Sequence, residues 1–294
     1  MKKLGMPRVL IIGCGDVGLR LLPLLTPRYR VLAVTSNPQR CAELRAAGAV
    51  PIVADLDRPL SLGRLGPLAD RVIHLAPPPS EGPVDRRTRN VAAILPEGAR
   101  VVYISTTGVY GDCDGAFFDE TRTARPRTAR AVRRVDAENV LRAWARRRGG
   151  RLSILRVPGI YAADRLPAER LRKGTPALAV ADDVYTNHIH GDDLAQATLA
   201  AMRHGASNRL YHAVDDTDLR TGDFLDAVAD ALALPRPPRM PRADIGASVS
   251  PMMLSFMSES RRLDNRRLRE ELGVRLIWPD VQSLLATLKN NAGE

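Results

Sequence analysis

The chain has 294 residues, 45% of them hydrophobic and only 4% aromatic, enough to bury the core of one large α/β domain or of one domain with a smaller lobe. Its formal charge is +11, from 44 basic and 33 acidic residues, a field that could attract nucleic acid, anionic lipid or a phosphorylated small molecule. The arginines are scattered and stacking aromatics scarce, so nucleic acid is disfavoured and arginine-rich codon usage is the plainer reading.

The segment after Lys2 and Lys3 holds only a short apolar run, Val9 to Ile12, which stops at Gly13. That is too short for a signal-peptide core, and no stretch of about 18 apolar residues could span a bilayer. Cys14, Cys41 and Cys113 are unpaired by spacing and form no metal-ligand pattern. A reduced, cytoplasmic setting is expected, with no membrane partner and no metal.

In chain order, "RVLIIG" (8–13), "RVLAVTS" (30–36), "AVPIVADL" (49–56), "RVIHLA" (71–76) and "RVVYIST" (100–106) read as strands. They are continuous apolar runs, as expected where both faces of a sheet are covered. Helices fit 16–26, 38–47, 83–95 and 129–148, so right-handed crossovers should build a parallel sheet. "RLSILRV" (151–157) and "RLYHAV" (209–214) extend it, with a helix at 191–205 between them. The proline-rich stretch 233–253 is expected to loop over a cleft, and 259–273 to form an amphipathic helix closed by Gly273.

"GCGDVG" (13–18) lies at the first strand-to-helix junction and places Gly13, Gly15 and Gly18, with Asp16 and Val17 between, in the G-x-G-x-x-G order. The first glycine permits a tight turn, the second lets a pyrophosphate approach the backbone, and the third lets helix and strand pack closely. The free N–H groups and positive dipole end of the helix would face the phosphates. Where an NAD-preferring site places an acidic residue, the second strand ends in Thr35, Ser36 and Asn37, followed by Arg40. Small hydroxyls beside a guanidinium suit a 2′-phosphate, so NADP(H) is favoured over NAD(H).

The helix at 129–148 poses a puzzle. Its apolar series runs back from Trp144 through Leu141 and Ala137 to Arg134 and Arg130, so two cations stand in line with the face that should be buried. With Arg133 they could grip a carboxylate or phosphate. Without a ligand, nearby acids such as Asp112, Asp114 and Asp119 should neutralise them.

Four segments resemble the extended short-chain dehydrogenase/reductase superfamily, the NAD-dependent epimerase/dehydratase family. They are "YISTTGVYGD" (103–112), "LRVPGIYAADRLP" (155–167), "NHIHGDDLAQA" (187–197) and "SRRLDNRRLREELG" (260–273). The resemblance implies a Rossmann-type doubly wound parallel sheet with a smaller C-terminal substrate-binding lobe. The dinucleotide-binding domain would cover 1–165, completed by 188–215, and the lobe would comprise 166–187 and 216–294. It makes Thr106 the hydroxyl that bonds a substrate oxygen. Asp55 and Leu56 would lie near the adenine, Ala76, Pro77 and Pro78 along the cofactor cleft, and Pro158, Gly159 and Ile160 beside the nicotinamide.

The family's Tyr and Lys positions fall on Arg130 and Arg134. Arginine has no accessible neutral form and cannot shuttle a proton, although Arg134 could still bond the nicotinamide ribose. Tyr110 and Tyr161 are candidate substitute donors, with packing the plainer role for Tyr110. His188 and His190 are expected mainly to pack and anchor their loop. Two functions remain open: an atypical NAD(P)(H)-dependent oxidoreductase or epimerase-like enzyme for a small anionic substrate, or a non-catalytic dinucleotide sensor or scaffold, monomeric or homodimeric in either case.

Overall fold

A computed structural model describes residues 5–291, leaving Lys2 and Lys3 outside the described residues. Seven strands form its central sheet: β1 (Arg8–Ile12), β2 (Arg30–Thr35), β3 (Val50–Val53), β4 (Arg71–His74), β5 (Arg100–Thr106), β6 (Arg151–Val157) and β7 (Arg209–His212). They lie in the order β7-β6-β5-β4-β1-β2-β3, and every neighbouring pair is parallel.

Alternation along each strand explains the unbroken apolar runs. Val9, Ile11, Val31, Ala33, Ile73 and Ile104 point to one face, where they meet Leu21 and Leu22 of α1 (Asp16–Leu25) and Leu194 and Ala197 of α5 (Gly191–His204). Leu10, Ile12, Val34, Val72, Val101 and Ile154 point to the other. There they meet Val91 of α3 (Arg86–Ile94) and Ala137, Leu141 and Trp144 of α4 (Ala129–Arg148). Each fully buried Leu or Ile contributes about 1.5–3 kcal/mol. Between the strands β2 and β3 runs a shorter α2 (Cys41–Ala46), preceded by a 3₁₀ turn at Pro38–Arg40.

The strand order reverses between β1 and β4, which opens a crevice at the carboxyl ends of those strands. A separate apolar cluster, including Tyr161, Leu171, Leu225, Val228, Val281 and Leu284, joins the segment after β6 to α6 (Thr221–Ala231) and α7 (Val281–Asn291). Among the described residues no helix is long and apolar enough to cross a membrane.

Two expected elements differ. Segment 259–273 is not one helix: Arg262–Leu263 pairs in parallel with Phe117–Phe118, and only Arg266–Glu270 is helical. The side chain of Asn187 holds this strand, donating to the Arg261 carbonyl and accepting from the Leu263 N–H. Tertiary pairing thus overrides the helical spacing of Leu263, Leu268 and Leu272. The stretch 233–253 carries a short strand at Arg239–Met240 and helical turns at Arg242–Ile245 and from Pro251 onward.

Candidate functional site

Gly13 leaves β1 with φ +82°, and an added Cβ would stand 2.7 Å from the Ala76 backbone. Glycine is required there on both counts. At Gly18 a Cβ would lie 2.6 Å from the Cys14 sulfur, so the third glycine lets α1 sit close to the turn. At Gly15 a Cβ would meet nothing within 4 Å. Gly15 therefore borders open space, and no side chain caps the first turn of α1 behind it. This cradle fits a dinucleotide phosphate, with backbone donors left to bind it.

A cavity of about 740 Å³ runs past this turn. Gly13, Gly15, Asp16, Val17 and Gly18 line one wall. Pro77 and Pro78 line another, and Thr106, Arg130, Arg134, Pro158 and Ile160 its far end. A second cavity, about 610 Å³, adjoins it and shares Thr106, Arg130, Pro158, Ile160 and Arg165. Gly159 faces only this second space.

The other expected cofactor residues stand outside both linings. Ala76 is buried against Gly13 and passes its carbonyl to Arg134. Thr35 is buried, accepting from the Asn37 N–H, and Ser36 is exposed. Arg40 reaches back over the glycine turn, donating from Nη1 to the Cys14 carbonyl at 2.6 Å and from Nε to Glu43 at 2.9 Å. Asp55 accepts from the Asp57 N–H, and the buried Leu56 offers its carbonyl to Asn90.

The arginines of α4 divide by partner. Arg134 Nη1 donates to the Ile104 carbonyl at 2.9 Å and the Tyr103 hydroxyl at 3.0 Å, with the Ala76 carbonyl at 3.5 Å. Its guanidinium also lies over the Tyr103 ring. The buried Arg133 donates to the Gly82 carbonyl at 2.8 Å. Arg130, within the helix rather than ahead of it, is exposed to the cavities and stacks 5.0 Å from the Phe256 ring centre.

Asp112, Asp114 and Asp119 do not neutralise these cations. Asp112 accepts from the Ser260 and Asp114 N–H groups, while Asp119 accepts from Thr121. Carbonyl oxygens and the Tyr103 hydroxyl meet Arg134, and the Gly82 carbonyl meets Arg133, whose Nε stays buried without a hydrogen-bond partner among the described residues. Asp119 is engaged by its own loop turn, and Asp112 by its own turn and the Ser260 segment.

Thr106 Oγ1 accepts from the Gly108 N–H at 3.3 Å, which leaves its O–H to donate at the junction of the cavities. Tyr110 is buried and bonds His212 at 2.6 Å, and the Arg156 guanidinium covers its ring. Tyr161 is equally buried and belongs to the apolar cluster rather than to either cavity. Burial, with the Asp215 carboxylate beside it, pushes the Tyr161 phenol up, and burial pushes Asp215 up to about 6. His190 caps α5 through the Asp192 N–H. His188 does more than pack: it stacks 4.3 Å from Phe224 and faces the second cavity, held neutral by burial, which lowers it to about 4.

Arginines remote in sequence complete the second cavity. Arg165, Arg170 and Arg261 join Arg130 there, with the buried Glu259 as the acidic member of this group. Arg261 donates from Nη1 to Glu259 at 2.7 Å and to the Gly111 carbonyl at 2.8 Å. Its Nε, and that of Arg170, are buried without a hydrogen-bond partner among the described residues. Burial pulls the Arg170 pKa down, a cost that an anion nearby would relieve. No spacing rule marks Arg165, Arg170 or Arg261 in the sequence, although Arg165 lies within the 155–167 segment and Arg261 within 260–273.

Residues 86–277 match the RmlD substrate binding domain, and residues 9–75 match the TrkA-N domain. A comparison with curated proteins finds no match. Among solved structures, a functionally unknown conserved protein from Silicibacter pomeroyi is 31% identical, with 97% of this chain and 99% of that one covered at a TM-score of 0.80. A dTDP-glucose 4,6-dehydratase from Streptomyces venezuelae, solved with NAD bound, is 20% identical over 98% of both chains, with a TM-score of 0.76. A UDP-glucose 4-epimerase from Thermotoga maritima, solved with UDP-glucose, is 17% identical over 98% of this chain and 100% of that one, with a TM-score of 0.75. The glycine turn at the reversal of a parallel sheet and the match over most of the chain lead to one assignment: this protein belongs to the RmlD substrate binding domain family, within the extended short-chain dehydrogenase/reductase superfamily.

Proposed function

We propose that the protein is an NAD(P)(H)-dependent oxidoreductase or epimerase-like enzyme acting on a small anionic substrate. The observation that carries this reading is the pair of adjoining cavities, one along the glycine turn and one ringed by arginines, meeting at Thr106 and Arg130. Residues 1–165 with 188–215 would hold the coenzyme; 166–187 and 216–294 would form the substrate lobe. Gly13, Gly15 and Gly18 would cradle the diphosphate, and Pro158 and Ile160 would border the nicotinamide. Bound there, the nicotinamide would supply or accept a hydride.

Within the chain, Thr106 would donate its hydroxyl hydrogen to a substrate oxygen. Arg130 and Arg261 would hold the anionic group, since two guanidinium forks match carboxylate or phosphate geometry. Arg134 would fix the wall of the cofactor groove. NADP(H) is favoured because β2 ends in Thr35 and Ser36 without a carboxylate and Arg40 lies over the turn. The dehydratase solved with NAD and the epimerase solved with UDP-glucose are in keeping with a nicotinamide coenzyme and a phosphate-bearing substrate.

Titration of the purified protein with NADPH and NADH, alone and in an Arg40→Ala variant, tests the coenzyme. NADPH should bind more tightly, and the substitution should remove that preference. Tighter NADH binding by the wild type overturns the assignment. Turnover is read as NADPH oxidation across a panel of carboxylated and phosphorylated carbonyl compounds and, for the epimerase-like form, as substrate interconversion with no net coenzyme change; the absence of both defeats the enzyme reading.

The second reading, a dinucleotide sensor or scaffold, draws on Arg130 standing where a phenol would carry the proton. It fails if the wild type turns over as fast as the Arg130→Tyr, Arg134→Lys double variant.

A further inference from the structure

Asp16 opens α1 immediately after Gly15, so its carboxylate occupies the helix end that would receive a diphosphate. An anion is favoured at such an end, and a resident carboxylate competes with an incoming phosphate for it. Two cations restrain Asp16. Arg20, one turn along α1, approaches both its oxygens at 3.3 Å, but Arg20 also donates to Asp192 at 2.7 Å and to Asp164 at 3.1 Å. It is therefore divided among three carboxylates and held at Gly191, where a Cβ would meet it at 2.8 Å.

The other cation is Arg165, whose Nη1 lies 2.6 Å from Asp16 Oδ2. Arg165 comes from the turn Ala163–Arg165 beyond the Gly159–Tyr161 strand, on the opposite side of the groove. Both partners remain more than a third exposed at the side chain, and Arg165 lines both cavities. The pair thus spans the groove from the phosphate turn to the substrate side. Burial raises the Asp16 pKa, but the hydrogen bonds from Arg165 and Arg20 outweigh it, so the carboxylate stays ionised.

We infer that Arg165 is an exchangeable phosphate ligand: it is held by Asp16 in the empty groove and passes to the diphosphate of the entering dinucleotide. The inference rests on the coenzyme reading above. Asp16 and Arg20 line the same helix turn, so a diphosphate placed there without a further cation would face the Asp16 charge directly. Arg165 has enough exposure to turn from one anion to the other, whereas Arg20, tied to three carboxylates, does not. Asp16 then acts against binding: it holds the gripping guanidinium until a stronger anion displaces it.

The test is a set of NADPH titrations on the full chain, with ADP as a second probe that carries the diphosphate and adenosine without the nicotinamide half. Arg165→Gln should weaken NADPH and ADP by about tenfold, the loss of a charge-assisted contact. Asp16→Asn keeps the shape but removes the competitor, and should tighten both probes several-fold. Arg165→Lys, a charged variant that guards against a folding defect, should fall between wild type and Arg165→Gln. The opposite signs decide the question, because a purely structural strap would suffer alike from losing either end. Equal weakening by Arg165→Gln and Asp16→Asn therefore overturns the exchange, as does a Kd unmoved in every variant. A wild type that binds neither probe removes the coenzyme reading along with it.

Discussion

Arg134 and Arg130 are four residues apart on α4 and carry the same charge, yet the structure gives them different work. Arg134 is tied to the sheet through the Ile104 carbonyl and the Tyr103 hydroxyl, while Arg130 stands at the cavity junction over Phe256. Arg134→Ala strands a buried hydroxyl and a carbonyl and should lower stability by about 1–3 kcal/mol. Arg130→Ala should stay within about 0.5 kcal/mol of wild type, as at an open site, and weaken substrate instead. Urea unfolding of the two variants checks this, and equal midpoints would contradict the assignment. The helical period put both arginines in line with the buried face, which holds for Arg134 but leaves Arg130 exposed at the cavities. It could not show their partners, because the Ala76 carbonyl just past β4 and the Ile104 carbonyl of β5 reach α4 only when the sheet has formed. Arg165, Arg170 and Arg261 were illegible for the same reason: they converge by tertiary closure, not by spacing.

At the scale of elements, α4 is fastened to the sheet by a buried polar knot. Glu138 accepts from Ser105 of β5 at 2.6 Å and from both Nε and Nη2 of Arg156 of β6, at 3.0 and 2.7 Å. Burying this pair was costly, but breaking one side leaves a charge with no water to solvate it. Glu138→Gln should therefore destabilise by about 3–5 kcal/mol, whereas a Glu138→Gln, Arg156→Met double variant should recover part of that loss. Denaturant melts of the single and double variants measure the coupling, and additive losses would show that the pair acts independently. The sheet and its glycine turn were legible because apolar runs and G-x-G-x-x-G are local patterns. The 259–273 segment was misread because its register is set by Phe117–Phe118, more than 140 positions earlier.

For the molecule as a whole, buried histidines set the response to acid. Burial lowers His74 and His212 to about 3 and His188 to about 4. These groups are neutral in the fold and charged in the unfolded chain below its pKa. Their stabilisation is present above the unfolded value near 6.5 and is lost as the pH falls towards the folded values. Asp215, pushed up to about 6 by burial, works in the opposite sense: its favourable contribution belongs to low pH and fades as the pH rises through 6. Near pH 5 the three histidines outnumber it, so among these four groups unfolding takes up about two protons net. The melting temperature should consequently fall from pH 7 to pH 4, and a flat or rising profile in calorimetry would refute the balance of charges drawn here.

The cluster beneath the arginine-ringed cavity is assembled from stretches either side of β7: Leu171 before it, Leu225 and Leu284 after it. The returning tail is sewn to the sheet half through His212 to the Asp264 carbonyl, and to the earlier stretch of the lobe through Asn187 to Arg261 and Leu263. A change of specificity by gene shuffling thus cannot arrive as one cassette. A transplanted tail would leave Asn187 and His212 facing foreign backbone, so new chemistry on this scaffold has to accumulate in place, residue by residue around the rim.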